Sequence, residues 1–309
     1  MNQITELLLP LKGKSILITG SGGMLGIAFQ EMIHKYCVDT TVFAYKKSQL
    51  DVTCRKSVLS CEKLKPDSII HCAAIVNADY CEVEQDFAKK VIVGGTQNII
   101  ELANKCNSKI IYPQSFLIFD GKVTPINEDT KPNPLSAYGR FKLEAEILIR
   151  EQVNDSIVIR MAGFFGGRKV DKNFVGKIIP EISKYIKEGK STISIGDRIW
   201  QPTFTNDLAL NSLVLLAQNK NGVYGMASHG KASFYELTSI IINKLEIEDK
   251  IKLTFTKTES LGLNEKAIRP DIAIISNERL INENMEFQRC WKEALTEYIN
   301  DPYFKNLFV

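Results

Sequence analysis

A tyrosine followed four residues later by a lysine, Tyr138-Gly139-Arg140-Phe141-Lys142, is the part of this 309-residue chain best equipped to move a proton. On a helix, positions four apart share a face, so the Lys142 ammonium is expected near the Tyr138 phenol. A free phenol titrates near pH ~10, and a neighbouring cation lowers that value by favouring the anion. A phenol tuned in this way can exchange a proton with a carbonyl or alcohol oxygen near neutral pH. Of the ten tyrosines only Tyr138 has a lysine at this offset, although a surface helix pair would read the same. Ser115 is the third candidate, closing the run Ile110-Ile111-Tyr112-Pro113-Gln114-Ser115. In a doubly wound sheet ligands collect at the carboxyl ends of strands. A hydroxyl there can donate to an oxygen on which charge develops; the competing reading is a turn cap.

A second kind of site lies near the N-terminus. The apolar run Ile16-Leu17-Ile18-Thr19 leads into Gly20-x-x-Gly23-x-x-Gly26, and a helical pattern follows at once. Glycines permit a tight turn and close backbone approach, and a helix N-terminus offers amides to a pyrophosphate. Strand before and helix after are the context this motif requires. The next strand ends Phe43-Ala44-Tyr45-Lys46-Lys47, without the carboxylate that commonly accepts from the ribose 2′-hydroxyl of NAD. Lys46 suits a 2′-phosphate instead, which favours NADPH and leaves NADH open. The alternative is that both lysines face solvent.

Positioning these groups requires a parallel sheet covered by helices. Strand patterns at 15–19, 41–45, 68–72, 109–112 and 156–160 alternate with helical ones at about 25–35, 56–64, 84–105 and 137–151. The expected fold is α/β, a Rossmann-type doubly wound parallel sheet with a smaller C-terminal α/β substrate-binding lobe. The dinucleotide domain is expected over 1–165, with return elements at about 204–228. The lobe takes 166–203 and 229–309. A polar loop at 121–134 carries three prolines between the fourth strand and the helix bearing Tyr138, a length often given to function.

Composition narrows the function classes. Thirty-nine basic against 36 acidic residues leave a net charge of +3 with no long basic run, so nothing points to a nucleic-acid polymer. No apolar stretch has the length of a membrane span, and Met1-Asn2-Gln3-Ile4-Thr5-Glu6 lacks the basic start of a signal peptide. Seven scattered cysteines form neither a disulfide framework nor a metal pattern, so reduced thiols in the cytoplasm are expected. His34, His71 and His229 have no ligand partner at helical spacing and are read as structural, with no metal.

Taken together, these motifs resemble the extended short-chain dehydrogenase/reductase superfamily, and within it the dTDP-4-dehydrorhamnose reductase branch. The likeness runs from about Lys14 to Leu280. It continues through Leu50-Asp51-Val52-Thr53, His71-Cys72-Ala73-Ala74, Ala78-Asp79-x-x-Glu82 and Phe119-Asp120-Gly121. Tyr138-Gly139-Arg140-x-Lys142-Leu143-x-x-Glu146, Asn173-Phe174-Val175, Gln201-Pro202-Thr203, Asp207-Leu208-Ala209, Arg269-Pro270 and Arg279-Leu280 follow in family order. The resemblance implies that Tyr138 protonates a substrate carbonyl. It implies that Lys142 binds the nicotinamide ribose and lowers the Tyr138 pKa, while Ser115 hydrogen-bonds the reacting oxygen. Gly20, Gly23, Met24, Leu25 and Gly26 would line the diphosphate, Asp51 and Val52 the adenine, and Ala73 and Ala74 the nicotinamide side.

The chain departs from that branch around the substrate. Ser-Thr-Asp-Tyr of the family becomes Gln114-Ser115-Phe116-Leu117, a customary asparagine becomes Ile92, and Arg-Thr-Ser-Trp becomes Arg160-Met161-Ala162-Gly163. Phe116, Phe165, Asn173, Trp200 and Gln201 are expected to face the cleft, with Arg269 pairing a substrate diphosphate. Core packing for Phe165 and Trp200, a helix cap for Asn173 and a surface charge for Arg269 are the competing readings. The implied activity is NADPH-dependent reduction of a nucleotide-activated 4-keto sugar, by a homodimer. An epimerase on the same scaffold and a dinucleotide-binding regulatory subunit are the alternatives.

Overall fold

Alternation of apolar residues decides which way each strand of the central sheet faces. The computed structural model describes residues 3–261 and 265–308. Its main sheet contains β1 (Ser15–Thr19), β2 (Thr41–Tyr45), β3 (Ser68–His71), β4 (Lys109–Ser115), β5 (Ser156–Met161) and β6 (Gly222–Met226). All neighbours are parallel, in the order β2-β1-β3-β4-β5-β6. On one face Leu17, Ile69, Ile110 and Val158 join a buried cluster with α2 (Gly95–Cys106) and α3 (Ala137–Gln152). On the other, Ile16, Ile18, Ile70, Ile111 and Ile157 pack with α1 (Met24–Tyr36) and, further along the chain, helix Thr205–Ala217. A strand sends successive side chains to opposite faces, so both must be covered by helices. The expected α/β doubly wound architecture is the observed one.

The helical patterns expected at about 56–64 and 84–105 are both present. Helical turns run without a break through Gln85–Lys89, a π turn at Lys90–Gly94 and α2, and a further short helix, Ala78–Val83, precedes them. Glu84 leaves helical geometry at φ −108°, ψ 56°, and the poor helix formers Gly94 and Gly95 sit at the wide turn. The sheet stops at β2, and the helical pattern expected at about 56–64 is present as a short helix, Arg55–Leu59, and a 3₁₀ turn, Ser60–Leu64.

A third buried cluster lies after β5. Helices α4 (Phe174–Lys187), α5 (Thr205–Ala217), α6 (Phe234–Lys244) and α7 (Trp291–Ile299) follow there in chain order. Phe165 and Phe204 pack with apolar residues of α4, α6 and α7 and the parallel pair of Thr192–Ile195 and Lys252–Phe255. Just past β5, a short strand, Phe164–Phe165, pairs with Thr203–Phe204.

Strand order reverses between β1 and β3, and the crevice at such a switch point is where open α/β sheets bind ligands. Gly20 ends β1 at φ +64°, and a Cβ there would stand 2.7 Å from Ala73 N beyond β3. Gly26 presses as closely: its Cβ would lie 2.5 Å from Gly20 O and 2.7 Å from Ser21 Cα. Gly23 differs, meeting only Gly20 O at 3.4 Å. Gly26→Ala should therefore lose about 1–3 kcal/mol of unfolding free energy through overpacking, while Gly23→Ala changes stability little. Urea denaturation of the two variants checks this, and equal losses would contradict it.

Candidate active site

Lys142 projects from α3 beneath the carboxyl half of β4. β3 pairs with β4 only as far as Ile70 and Ile111, so the next residues of β4 run beyond their neighbour. Pro113 stands there, bringing no N–H that would need a partner. Its carbonyl accepts a hydrogen bond from Lys142 Nζ at 2.7 Å, and the same ammonium lies 3.8 Å from the centre of the Tyr112 ring. The Lys142 side chain is 4% exposed. Burial pushes its ammonium down to about 7, opposed by the Cys72 thiol and the Glu146 carboxylate.

Beneath this lysine is a buried polar brace. Gln114 Nε2 donates to Lys142 O at 2.9 Å and to Glu146 Oε2 at 2.8 Å. Arg160 donates to Glu146 Oε1 at 2.7 Å and to Glu128 O at 2.9 Å. Charges removed from water persist when paired and hydrogen-bonded in this way. The brace ties α3 to β4 and β5. On the far side of Lys142, His71 is held between Thr19 Oγ1 at 2.8 Å and Thr96 Oγ1 at 3.2 Å. Burial and then the Lys142 charge push its imidazole down to about 3, so it is a neutral, structural histidine, as expected.

Tyr138 opens α3, whose first turn is capped by Ser136 Oγ accepting from Gly139 N at 3.2 Å. Burial raises its phenol far above the ordinary value, the Cys81 thiol adds to the rise, and the Ser115 hydroxyl opposes it. This corrects the expectation that Lys142 lowers the phenol's pKa, since the ammonium is engaged by Pro113 and Tyr112 and desolvation decides the sign. Ser115 Oγ accepts from Leu117 N at 3.2 Å and caps the 3₁₀ turn Phe116–Ile118. The turn-cap reading therefore holds. It uses a lone pair and leaves the hydroxyl hydrogen to donate.

The glycine turn and its surroundings form a second cradle. Gly23 is the N-cap of α1, with no side chain capping the amides that follow, including those of Met24 and Leu25. The aliphatic stem of the exposed Lys46 approaches Gly22, within 3.3 Å of where a Cβ would be. Asp51 is held as a carboxylate by Thr53 N at 2.9 Å and Thr53 Oγ1 at 2.8 Å. Val52 is buried, its carbonyl accepting from Asn98 Nδ2 at 2.8 Å. Ala73 N donates to Thr19 Oγ1 at 3.2 Å, and Ala73 and Ala74 are half-buried beyond β3.

Several residues expected in the cleft are used elsewhere. Phe165 is fully buried, 5.4 Å centre to centre from both Phe204 and Tyr298, so core packing is its role. Gln201 is buried too, donating to Ser228 O and Ile275 O and accepting from Ile275 N at 2.8 Å. Arg269 does not wait for a diphosphate. It grips Asp79 at 2.9 and 3.1 Å and approaches Glu265, which pairs in turn with Arg198 at 2.8 Å. Asn173 occupies the N-cap position of α4, yet its side chain donates to Phe164 O at 2.7 Å rather than capping. Phe116 is half-buried beside Ala162 and Ala227.

Trp200 is half-buried, edge-on to Phe234 at 5.8 Å and Phe174 at 6.4 Å. Its indole fills the side-chain space of Gly163, where a Cβ would be 1.3 Å from Nε1. Gly163 lies two residues past Met161, the register partner of Ser115. Among the described residues no group of three or more histidine, cysteine or carboxylate side chains is placed to hold a metal, and the seven cysteines are free. No helix of the described residues is long and apolar enough to cross a membrane.

An ordered glycine turn, a strand-end serine and a Tyr-x-x-x-Lys helix on a six-stranded parallel sheet define a reductase-like dinucleotide fold. Residues 14–304 match the family described as "RmlD substrate binding domain", and the chain belongs to that family. It is 30% identical over 289 residues to spore coat polysaccharide biosynthesis protein SpsK of Bacillus subtilis, covering 93% of this chain and 97% of the relative. Methionine adenosyltransferase 2 subunit beta of Xenopus tropicalis is 25% identical, with 96% and 91% covered. The crystal structure of dTDP-4-dehydrorhamnose reductase from Bacillus anthracis in complex with NADP superposes with a TM-score of 0.83 at 25% identity, covering 93% of this chain and 98% of that one.

Two outcomes follow from these contacts. Gly163→Ala should displace the indole of Trp200 and shift the tryptophan emission, and an unchanged spectrum would contradict the packing. Because the folded pKa of His71 lies below its unfolded value of about 6.5, its contribution to stability is complete above that pH and is lost as pH falls toward 3. Urea unfolding between pH 7.5 and 4.5 should steepen below ~6.5 by up to ~1.4 kcal/mol per pH unit for this group, and His71→Gln should remove that component.

Proposed function

We propose that this chain is an NADPH-dependent reductase of a nucleotide-activated 4-keto sugar. The observation that carries the reading is the convergence of Ser115, Tyr138 and Lys142 at the carboxyl end of β4, beside the crevice that Gly20 and Ala73 close. The cradle fits the cofactor. Gly23 leaves room over the uncapped start of α1, where Met24, Leu25 and Gly26 would take the diphosphate together with Gly20. Lys46 would face a 2′-phosphate, Asp51 and Val52 the adenine, and Ala73 and Ala74 the nicotinamide, with Lys142 and Tyr138 toward its ribose. NADPH supplies the hydride when bound.

The chain's own part is proton delivery and orientation. A phenol raised by burial stays protonated through neutral pH, as a proton donor must. Ser115 donates to the same carbonyl oxygen, and Lys142, one helical turn on, is directed to the cofactor ribose. Phe116 and Leu117 present an apolar wall where the branch has a carboxylate and a phenol, and Trp200 and Asn173 are the side chains that the second lobe contributes. The altered wall supports a substrate other than dehydrorhamnose itself. Similarity to a spore coat polysaccharide biosynthesis protein and to a reductase solved with NADP supports the class.

Likeness to a methionine adenosyltransferase subunit favours a second reading, a dinucleotide-binding subunit acting through a partner enzyme. Turnover separates the two. Tyr138→Phe should lower kcat on a keto-sugar nucleotide by at least ~100-fold and leave NADPH affinity within about twofold. Full activity in that variant would end the assignment. No turnover by the wild type across a panel of such substrates, with a stoichiometric co-purifying enzyme, would establish the subunit reading. An epimerase would convert substrate without net consumption of NADPH.

A further inference from the structure

Three consecutive residues of β4 hold the one lysine that the proposed chemistry needs. Tyr112 presents its ring face 3.8 Å from Lys142 Nζ, Pro113 accepts from that nitrogen at 2.7 Å, and Gln114 holds Lys142 O at 2.9 Å. Tyr112 is itself 2% exposed, and its hydroxyl makes no hydrogen bond of proper geometry among the described residues. A buried hydroxyl without a partner is an expense with no local return. The ring is what the site uses. An aromatic face attracts a cation most strongly where water is excluded, and here the cation is almost wholly enclosed.

The ring is also well placed to be rigid. Beside it stands the His71 imidazole, tilted by 33° and 6.0 Å away centre to centre, which two threonine hydroxyls fix in place. From α3, Glu146 is held by Gln114 and Arg160 and cannot swing toward the ammonium to replace the ring. Cys72 and His71 are the other titratable groups facing Lys142, and both are held neutral by burial. The described residues therefore offer Lys142 no carboxylate in direct contact.

We infer that Tyr112 is a positioning residue, whose π face, with the Pro113 carbonyl, favours the charged form of Lys142 and aims it at the cofactor ribose. This rests on the proposed function only for the word cofactor; the clamp on the ammonium stands on the distances alone. Pro113 serves it by removing an N–H and leaving its carbonyl to the lysine.

The test replaces residue 112 by Phe and by phenylalanines of increasing ring fluorination, which keep the shape and drain the π face. Lys142 is followed by pH-dependent competitive acylation and mass spectrometry, and NADPH binding by fluorescence titration. Tyr112→Phe should match wild type in both readouts. Progressive fluorination should move the Lys142 titration to lower pH and weaken NADPH binding stepwise, on the order of tenfold at full fluorination. A fluorination series with an unmoved Lys142 titration would overturn the inference. If even wild type fails to bind NADPH, the proposed function falls while the acylation profile still decides the clamp. Should full fluorination unfold the protein, the mono- and difluoro variants carry the trend.

Discussion

The structure depends on accommodating one lysine amine inside a protein. Lys142 is nearly inaccessible to water, and an isolated cation there would lose its proton or pull the helix out of place. Its surroundings answer that constraint in order of distance. A carbonyl freed by the early end of β3 and an aromatic face touch the nitrogen. Behind them, Gln114, Glu146 and Arg160 lock the helix turn from which it projects. The switch in strand order supplies the crevice, and the glycines let the backbone close around it.

Seen this way, the site divides into a preserved interior and a rebuilt wall. The proton-handling side chains and their brace lie on β4, α3 and β5, where any shift would disturb the packed sheet. The positions proposed to face substrate lie after the strands, on turns that tolerate change. There Phe116 and Leu117 stand at the turn that Ser115 caps, and Trp200 reaches across to fill the space that Gly163 leaves. On the proposed reading, retained chemistry with altered recognition would follow, because the first depends on the core and the second on loops.

Much of this was legible in the residues themselves. Strands 15–19 and 41–45 and the Tyr138–Lys142 helix followed from apolar runs and helical spacing, and the turn at Gly20 from its place between strand and helix. What the residues do not disclose is which partner a polar or aromatic side chain will find. Arg269 was taken by Asp79, Gln201 by backbone groups near Ile275, and Phe165 by Phe204, all contacts between positions distant in sequence. The wide turn before Gly95 was hidden because the apolar spacing carries on through it. The clamp on Lys142 did leave a trace: Pro113 inside an apolar strand is out of place unless that strand outruns its neighbour.

The central claim is that the buried phenol and ammonium serve hydride reduction of a sugar carbonyl. Incubating the protein with a 4-keto sugar nucleotide and NADPH deuterated at the nicotinamide C4, then reading the product by mass spectrometry and NMR, tests it most directly. The account predicts one deuterium on the former carbonyl carbon, with one NADPH oxidised for each product formed. Product without deuterium, or conversion with the NADPH pool unchanged, would contradict it.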